Sequence, residues 1–498
     1  MRNLSKSKLM NYRQCEKRLW LEIHEPDLRM DSDATLASFE GGHQVGDVAQ
    51  RIYDPQGQGV FVDRDELGFD GSFQKTAELL KAGRPIFEAG FRIAGAMAFA
   101  DILLPVKGGR WGMVEVKSST SVKDYHRDDA AIQAYIARKS GLDLSSIRLA
   151  YVDNTWTYPG KGDYRGLLVE ADLTQEAFDR EEEVEEWIAA AQAIASKKKE
   201  PLVQTGGHCR DPYECGFLAY CTAQEPQAEQ PITWLPRRSP SLNEHFATNG
   251  LTEMRDAPDD LLNESQRRVK HATLTGQTWM DQSGAKVALK DHQPPAYFLD
   301  FESIQFAVPR WKGTRPYQQI VFQFSVHHLL PDGRLEHRSF LDLSGNDPSE
   351  SLAKALLNAC GQNGPIFVYN QAFEKTRIGE LAERFPTLRQ GLLALNARVV
   401  DLLPIARDHF YHPSQQGSWS IKVVLPAMFP EDPTLNYKAL EGVQDGGMAQ
   451  SAYLEAIHPE TSSERRAEIE RQLLKYCGLD TYATVKLWSR FTGNAIKD

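Results

Sequence analysis

The sequence predicts an α/β protein of two domains, residues 1–223 and 293–498, joined by a linker and small helical segment over 224–292. Three observations carry that expectation. Short apolar runs of strand length alternate with longer stretches of helical period in both halves. Proline and polar residues crowd Gln224–Pro240, which is the composition of a linker. In each half, one apolar strand also carries charge that packing does not require: Glu115 with Lys117 in the first, Asp300 with Glu302 in the second.

Length and composition set the frame. A chain of 498 residues exceeds one ordinary domain, and 41% hydrophobic with 25% charged residues is the balance of a globular protein. No apolar run reaches the ~18 residues a membrane helix needs. The start, Met1-Arg2-Asn3-Leu4-Ser5-Lys6, has no apolar signal core, so a cytoplasmic location without a membrane partner is expected. A net charge of −11 argues against a generally basic coat, yet local basic patches can still grip nucleic acid. Of six cysteines, Cys209, Cys215 and Cys221 fall close together, while Cys15 stands alone near the start. In a reducing cytosol such a cluster reads as metal or iron–sulfur ligation rather than disulfides.

Taken in order, residues 3–23 read as a helix opening at Leu4-Ser5-Lys6, and a second helix includes Phe39–Ala49. Short strands follow at 85–91, 98–104 and 110–119, and then a helix containing 128–135. Side chains alternate along a strand, so Glu115 and Lys117 share a face, and Asp101 closes the strand before. A surface hairpin with an ordinary Glu–Lys pair is the alternative, which the apolar flanks disfavour. The middle segment reads as a helical spacer with a solvated basic face, and Asn249–Met254 as a weak helix–hairpin–helix candidate.

In the last third, Ala296–Glu302 is a strand that puts Asp300 and Glu302 on one face, with Leu299 and Phe301 on the other. Two neighbouring carboxylates repel and lose solvation, and a hard cation such as Mg²⁺ or Mn²⁺ is the usual reason to hold them. A strand end where both acids meet water is the alternative. Strands at 318–329 and 335–341 flank the turn Pro331-Asp332-Gly333; a helix near 349–360, a strand to Tyr369 and a helix from Phe373 complete a β-β-β-α-β-α order. The helix over 462–488 brings Tyr476 and Asp480 onto one face, one turn apart.

These motifs resemble two nuclease families. Asp101 followed by Glu115-x-Lys117 is similar to the PD-(D/E)XK core of RecB-like nucleases. That resemblance implies two acids on a divalent metal, a lysine that orients water or stabilises phosphate charge, and Gln133 as a further site residue. The early histidine those nucleases place after a glycine is missing at Gly42 and Gly46; His43 and Glu88 are the possible substitutes. Cys15 with Cys209, Cys215 and Cys221 resembles their iron–sulfur subset and implies a [4Fe–4S] cluster, with Zn²⁺ as the competitor. Asp300, Glu302, a middle motif at Asn370–Glu374 and Tyr476-x-x-x-Asp480 resemble the tyrosine subclass of DEDD 3′→5′ exonucleases, an RNase H-like fold. There Asp300, Glu302, Glu374 and Asp480 would hold two metals and Tyr476 would position water. Glu374 departs from the usual aspartate, and Asp401 is the alternative ligand. The resemblance implies a metal-dependent nuclease acting on DNA, or on RNA, in repair or anti-phage defence. A binding scaffold with one or both centres decayed is the second reading.

Overall fold

The computed structural model describes residues 2–497, with the side chains of 33, 34, 37 and 38 left aside. The chain forms two compact units. One comprises Met1–Pro226 with Gln305–Gln318, the other Gln227–Ile304 with Gln319–Asp498. The first unit's main segment ends at Pro226, the middle stretch lies with the second unit from Gln227 onward, and a fourteen-residue piece of the later chain, Gln305–Gln318, lies with the first.

The first unit contains strands β1 (Leu4–Ser5), β2 (Val60–Phe61), β3 (Ile86–Ile93), β4 (Ala96–Val106), β5 (Arg110–Lys117), β6 (Leu144–Val152) and β7 (Leu168–Asp172). Its helices are α1 (Lys6–Gln14), α2 (Glu16–His24), α3 (Asp33–Tyr53), α4 (Arg64–Ala82), α5 (Asp124–Lys139), α6 (Thr174–Asp179), α7 (Glu181–Ala195) and α8 (Leu218–Gln224). The sheet runs β2-β3-β4-β5-β6-β7, with β1 alongside β4. Hairpins pair β3, β4 and β5 antiparallel, and the α5 crossover makes β5 and β6 parallel. Alternation on β5 sends Trp111 and Met113 into the main core with Ile132 and Ile136 of α5 and Leu9 of α1. Val114 packs on the opposite face with Ala49 of α3, Phe87 and Ile102. Further along that face, Ala307 and Val308 of the returning piece pack on Val45, Val48 and Val152. The expected single N-terminal helix is two: Cys15 is extended (φ −163°, ψ 126°) and breaks it, with Ser5 capping α1.

The second unit holds α9 (Pro240–Thr248), α10 (Glu264–Thr275), β8 (Trp279–Met280), α11 (Gln282–Leu289), β9 (Ala296–Ile304), β10 (Ile320–Leu329), β11 (Leu335–Leu341), α12 (Ser349–Ala359), β12 (Ile366–Val368) and α13 (Gln371–Arg384). After these come α14 (Arg389–Asn396), β13 (Val399–Asp401), α15 (Leu402–His409), β14 (Phe410–Tyr411), α16 (Ile421–Met428), α17 (Gly446–Ala456) and α18 (Ser463–Thr492). Its main sheet is ordered β11-β10-β9-β12-β13. The β9–β10–β11 meander is antiparallel, and β9, β12 and β13 are parallel. Tyr297, Leu299 and Phe301 enter the core beneath α12, α13 and α14. The other face of β9 turns toward α18, where Phe298 meets Trp488. The Asn249–Met254 stretch is no tight hairpin between helices: two 3₁₀ turns separate α9 from α10.

Candidate active sites

In the first unit, register brings three acids to one level of the sheet. The β4–β5 ladder ends at Ile102↔Val114, one residue short of Asp101 and Glu115, and the β3–β4 register sets Glu88 opposite Asp101. Glu88 sits at φ +57°, a left-handed conformation rare for a residue with a Cβ. Asp101 accepts the Val116 N–H at 2.7 Å. Burial, and then the charge of Glu115, pushes the Asp101 carboxyl well up.

Lysines close the cluster. Lys117 Nζ lies 2.6 Å from Glu115 Oε1 and 2.6 Å from Asp129 Oδ2. Lys6, in the first turn of α1, reaches the same two acids at 2.8 and 3.1 Å. Gln133 Nε2 donates to Glu115 Oε2 at 2.6 Å and to Asp129 Oδ1 at 3.1 Å. It is a buried mid-helix residue. Glu115 is 1% exposed, so these side chains rather than water satisfy its oxygens. The opening beside this cluster, about 670 Å³, is lined by Lys6, His43, Glu88, Asp101, Glu115 and Lys117. A second opening of about 920 Å³ runs past Lys6, Lys117, Lys123, Tyr125, Tyr213 and Tyr317. Tyr317 donates its hydroxyl to the Ser118 carbonyl and holds φ +59°.

The four expected cysteines meet. Cys15, Cys209, Cys215 and Cys221 line one enclosed cavity with Lys17 and Arg18, and all four are free thiols. The α1–α2 break is what delivers Cys15, and the N–H groups of Arg18 and Lys17 point at its sulfur. Burial raises the Cys15 and Cys215 thiols and carries Cys221 to about 11. His208 Nε2 stands 3.6 Å from the Cys209 sulfur, an accessory position. The donor set fits a metal or cluster: four thiols with little to pair with except one another.

In the second unit, Asp300 and Glu302 face α18 as the pleat requires, and α18 answers with Tyr476, Cys477 and Asp480. The Asp300 carboxyl is pushed well up by burial, and then by Asp480, Glu302 and Glu374. Glu302 and Glu374 are each raised to about 8, mainly by burial. Asp480 is raised to about 6 by burial, against hydrogen bonds from Tyr437 (2.6 Å) and Tyr476. Lys422 donates to the Tyr476 hydroxyl at 3.0 Å and faces Glu302. Among the described residues, only Asp300, Glu302 and Cys477 bring three ligating atoms within 4.8 Å of one another. The acids fit a cation, because burial raises all four carboxyls and neighbouring acid charges raise Asp300 and Glu302 further.

Asp401, the alternative ligand, is committed elsewhere. Its carboxylate accepts N–H groups of Asn370 (2.9 Å), Gln371 (3.1 Å) and Leu403 (2.9 Å), clamping the turn from β12 into α13 that presents Glu374. Ser420 precedes α16 but makes no side-chain cap bond. Lys6, Asp129, Tyr437 and Cys477 were not singled out by sequence. The capped start of α1 marks where Lys6 sits, but nothing local marks its partners.

Residues 297–420 match the family described as Domain of unknown function (DUF2779). That span takes in Asp300, Glu302 and Glu374 and ends before Tyr476 and Asp480. The solved crystal structure of SSO0001 is similar at 13% identity over 45% of this chain and 87% of that one, with a TM-score of 0.21. No curated protein sequence matches. No described helix is long and apolar enough to cross a membrane.

Proposed function

We propose that the chain is a metal-dependent nuclease with two hydrolytic centres, a RecB-like PD-(D/E)XK domain followed by an RNase H-like domain of DEDD type. One observation carries the reading: Asp300 lies where the charges of Asp480, Glu302 and Glu374, carried on three separate elements, all raise its carboxyl, with Tyr476 one turn from Asp480. The sheet order β11-β10-β9-β12-β13 supports it, because β9 and β12 are neighbours and so bring the first two acids beside the third. Mg²⁺ or Mn²⁺ on these acids would supply an activated water and charge neutralisation at phosphorus. The chain's own residues do the rest. Asp401 fixes the turn carrying Glu374, Tyr437 holds one oxygen of Asp480, and Lys422 fixes the Tyr476 hydroxyl.

In the first unit, Asp101 and Glu115 with Glu88 would hold the cation, and Lys117 and Lys6 are placed to stabilise phosphate charge. The basic and aromatic lining of the larger opening suits a nucleic-acid strand, DNA or RNA. For the four cysteines, a [4Fe–4S] cluster is favoured over zinc. One early cysteine with three after the nuclease-like core is the arrangement that resembles the iron–sulfur subset of RecB-like nucleases. Visible absorption of the purified protein separates the two.

A second reading is favoured by one feature. Glu115 and Asp129 already have two lysines, so the first unit holds its charge without a cation and could serve as a binding module beside one active centre. Degradation of end-labelled single- and double-stranded DNA and RNA with Mg²⁺ or Mn²⁺, in wild type, Lys117→Ala and Asp300→Ala, tests both. Loss of ~10²–10³-fold activity is expected at each altered centre. Unchanged rates in Lys117→Ala alone select the second reading, and unchanged rates in both variants defeat the nuclease reading.

A further inference from the structure

The second-unit acid cluster contains a thiol that all-oxygen chemistry does not call for. Cys477 is fully buried, and its sulfur lies 3.7 Å from Asp300 Oδ2. Sulfur and carboxylate oxygen bound to one tetrahedral ion, with bonds of about 2.3 and 2.1 Å, stand ~3.6 Å apart. With its proton the thiol donates to Asp300 Oδ2 and, at 3.9 Å, to the Asp300 carbonyl; without it, sulfur and carboxylate are a good pair of ligands. A second, independent feature points into the same place. Glu374 is 3% exposed and its Oε2 has no hydrogen-bond partner among the described residues, while its charge acts on Asp300. A buried carboxylate oxygen left unpaired costs about 1–3 kcal/mol, so it needs an occupant.

We propose that Asp300, Glu302 and Cys477 form a mixed carboxylate–thiolate site that takes a thiophilic divalent cation, Zn²⁺ or Co²⁺, in preference to Mg²⁺. The chemistry follows from ligand softness. Mg²⁺ demands oxygen donors in near-octahedral array, whereas a thiolate draws borderline metals. As the metal–sulfur bond forms, the S–H bond breaks and its proton passes to solvent. Glu374 and Asp480, whose charges both act on Asp300, are the candidate fourth donors. This inference rests on reading the cluster as a metal site, but not on its cutting a phosphodiester.

The test uses the full chain with its four-cysteine site intact. Hydrogen exchange of peptides from α18 reports this site alone, while Zn²⁺, Co²⁺ and Mg²⁺ are titrated separately into wild type, Cys477→Ser, Cys477→Ala and Asp300→Asn. Zn²⁺ and Co²⁺ are expected to protect α18 at lower concentration than Mg²⁺. Both cysteine variants should lose at least about tenfold in Zn²⁺ affinity with Mg²⁺ changed less than twofold, a loss of the size seen when a metal site's supporting partners are removed. The thiolate-to-cobalt absorption should appear in the difference spectrum of wild type minus Cys477→Ser. Zn²⁺ protection equal in wild type and both cysteine variants overturns the sulfur ligand, and Mg²⁺ protection that still requires Asp300 would then leave the proposed hydrolytic site standing. No protection by any cation, in wild type as in Asp300→Asn, overturns the sulfur ligand and the metal reading together.

Discussion

The two acid clusters solve the same electrostatic problem in opposite ways. In the first unit, buried Glu115 and Asp129 are matched by Lys6 and Lys117 at 2.6–3.1 Å. In the second, four acids converge; Lys422 faces Glu302 and Asp480 and donates to the Tyr476 hydroxyl, with no salt bridge to the acids among the described residues. Lysines therefore match Glu115 and Asp129 in the first cluster, where burial raises Asp101 and Glu88, while the second relies on protons or a cation. Burial makes the distinction matter, because an unpaired charge in a low-dielectric interior is far costlier than one in water.

The contrast breaks most sharply at Lys6. Lys6→Met leaves two buried acids with one lysine between them, and about 3 kcal/mol of stability should be lost, read by chemical denaturation of the full chain. A loss below ~1 kcal/mol would mean that the first cluster is not held by its lysines. Next in size is the response to a cation. At a hundredfold excess over its dissociation constant, Mg²⁺ or Mn²⁺ should stabilise the wild type by about 2.7 kcal/mol. Hydrogen exchange should place the gain on β9 and α18. Asp300→Asn should abolish the response, and by removing a carboxyl that burial forces to hold its proton it should stabilise the metal-free protein.

pH sharpens the comparison further. Glu302 and Glu374 keep their protons to about 8 in the folded chain, against about 4.5 when unfolded. Between those values the folded state binds more protons than the unfolded one, so their contribution is complete below about 4.5 and lost as pH rises to about 8. Exchange protection of α18 in chelator should fall across that window, and saturating cation should flatten the fall. A metal-free protein whose α18 protection rises from pH 5 to 8 would contradict the assignment. The smallest effect is expected at Tyr317→Phe. Losing the hydrogen bond to the Ser118 carbonyl should cost about 1 kcal/mol, with any change in strand binding appearing in affinity and not in cation response.

Much of both centres was legible in the chain because it follows from local period. A pleat of two set Glu115 beside Lys117 and Asp300 beside Glu302, and a helical turn set Tyr476 above Asp480. The break at Cys15 was hidden, since Lys6–His24 keeps helical composition straight through it and only the convergence of four thiols explains the extended residue. Asp401 looked equivalent to Glu374 because both are acids near strand ends. Their difference lies in three backbone N–H groups that fold around one and leave an oxygen of the other unpaired.

The sequence by itself determined which carboxylates share a face along each strand. Tertiary structure alone decided their company: Lys6 arriving from 109 residues away at Glu115, Tyr437 closing on Asp480, Cys477 seated against Asp300, and Gln305–Gln318 returned to the first unit. The physical reason is range. Backbone geometry repeats every two or 3.6 residues and is written locally, whereas charge pairing and ligand sets depend on which distant surfaces the hydrophobic cores bring together.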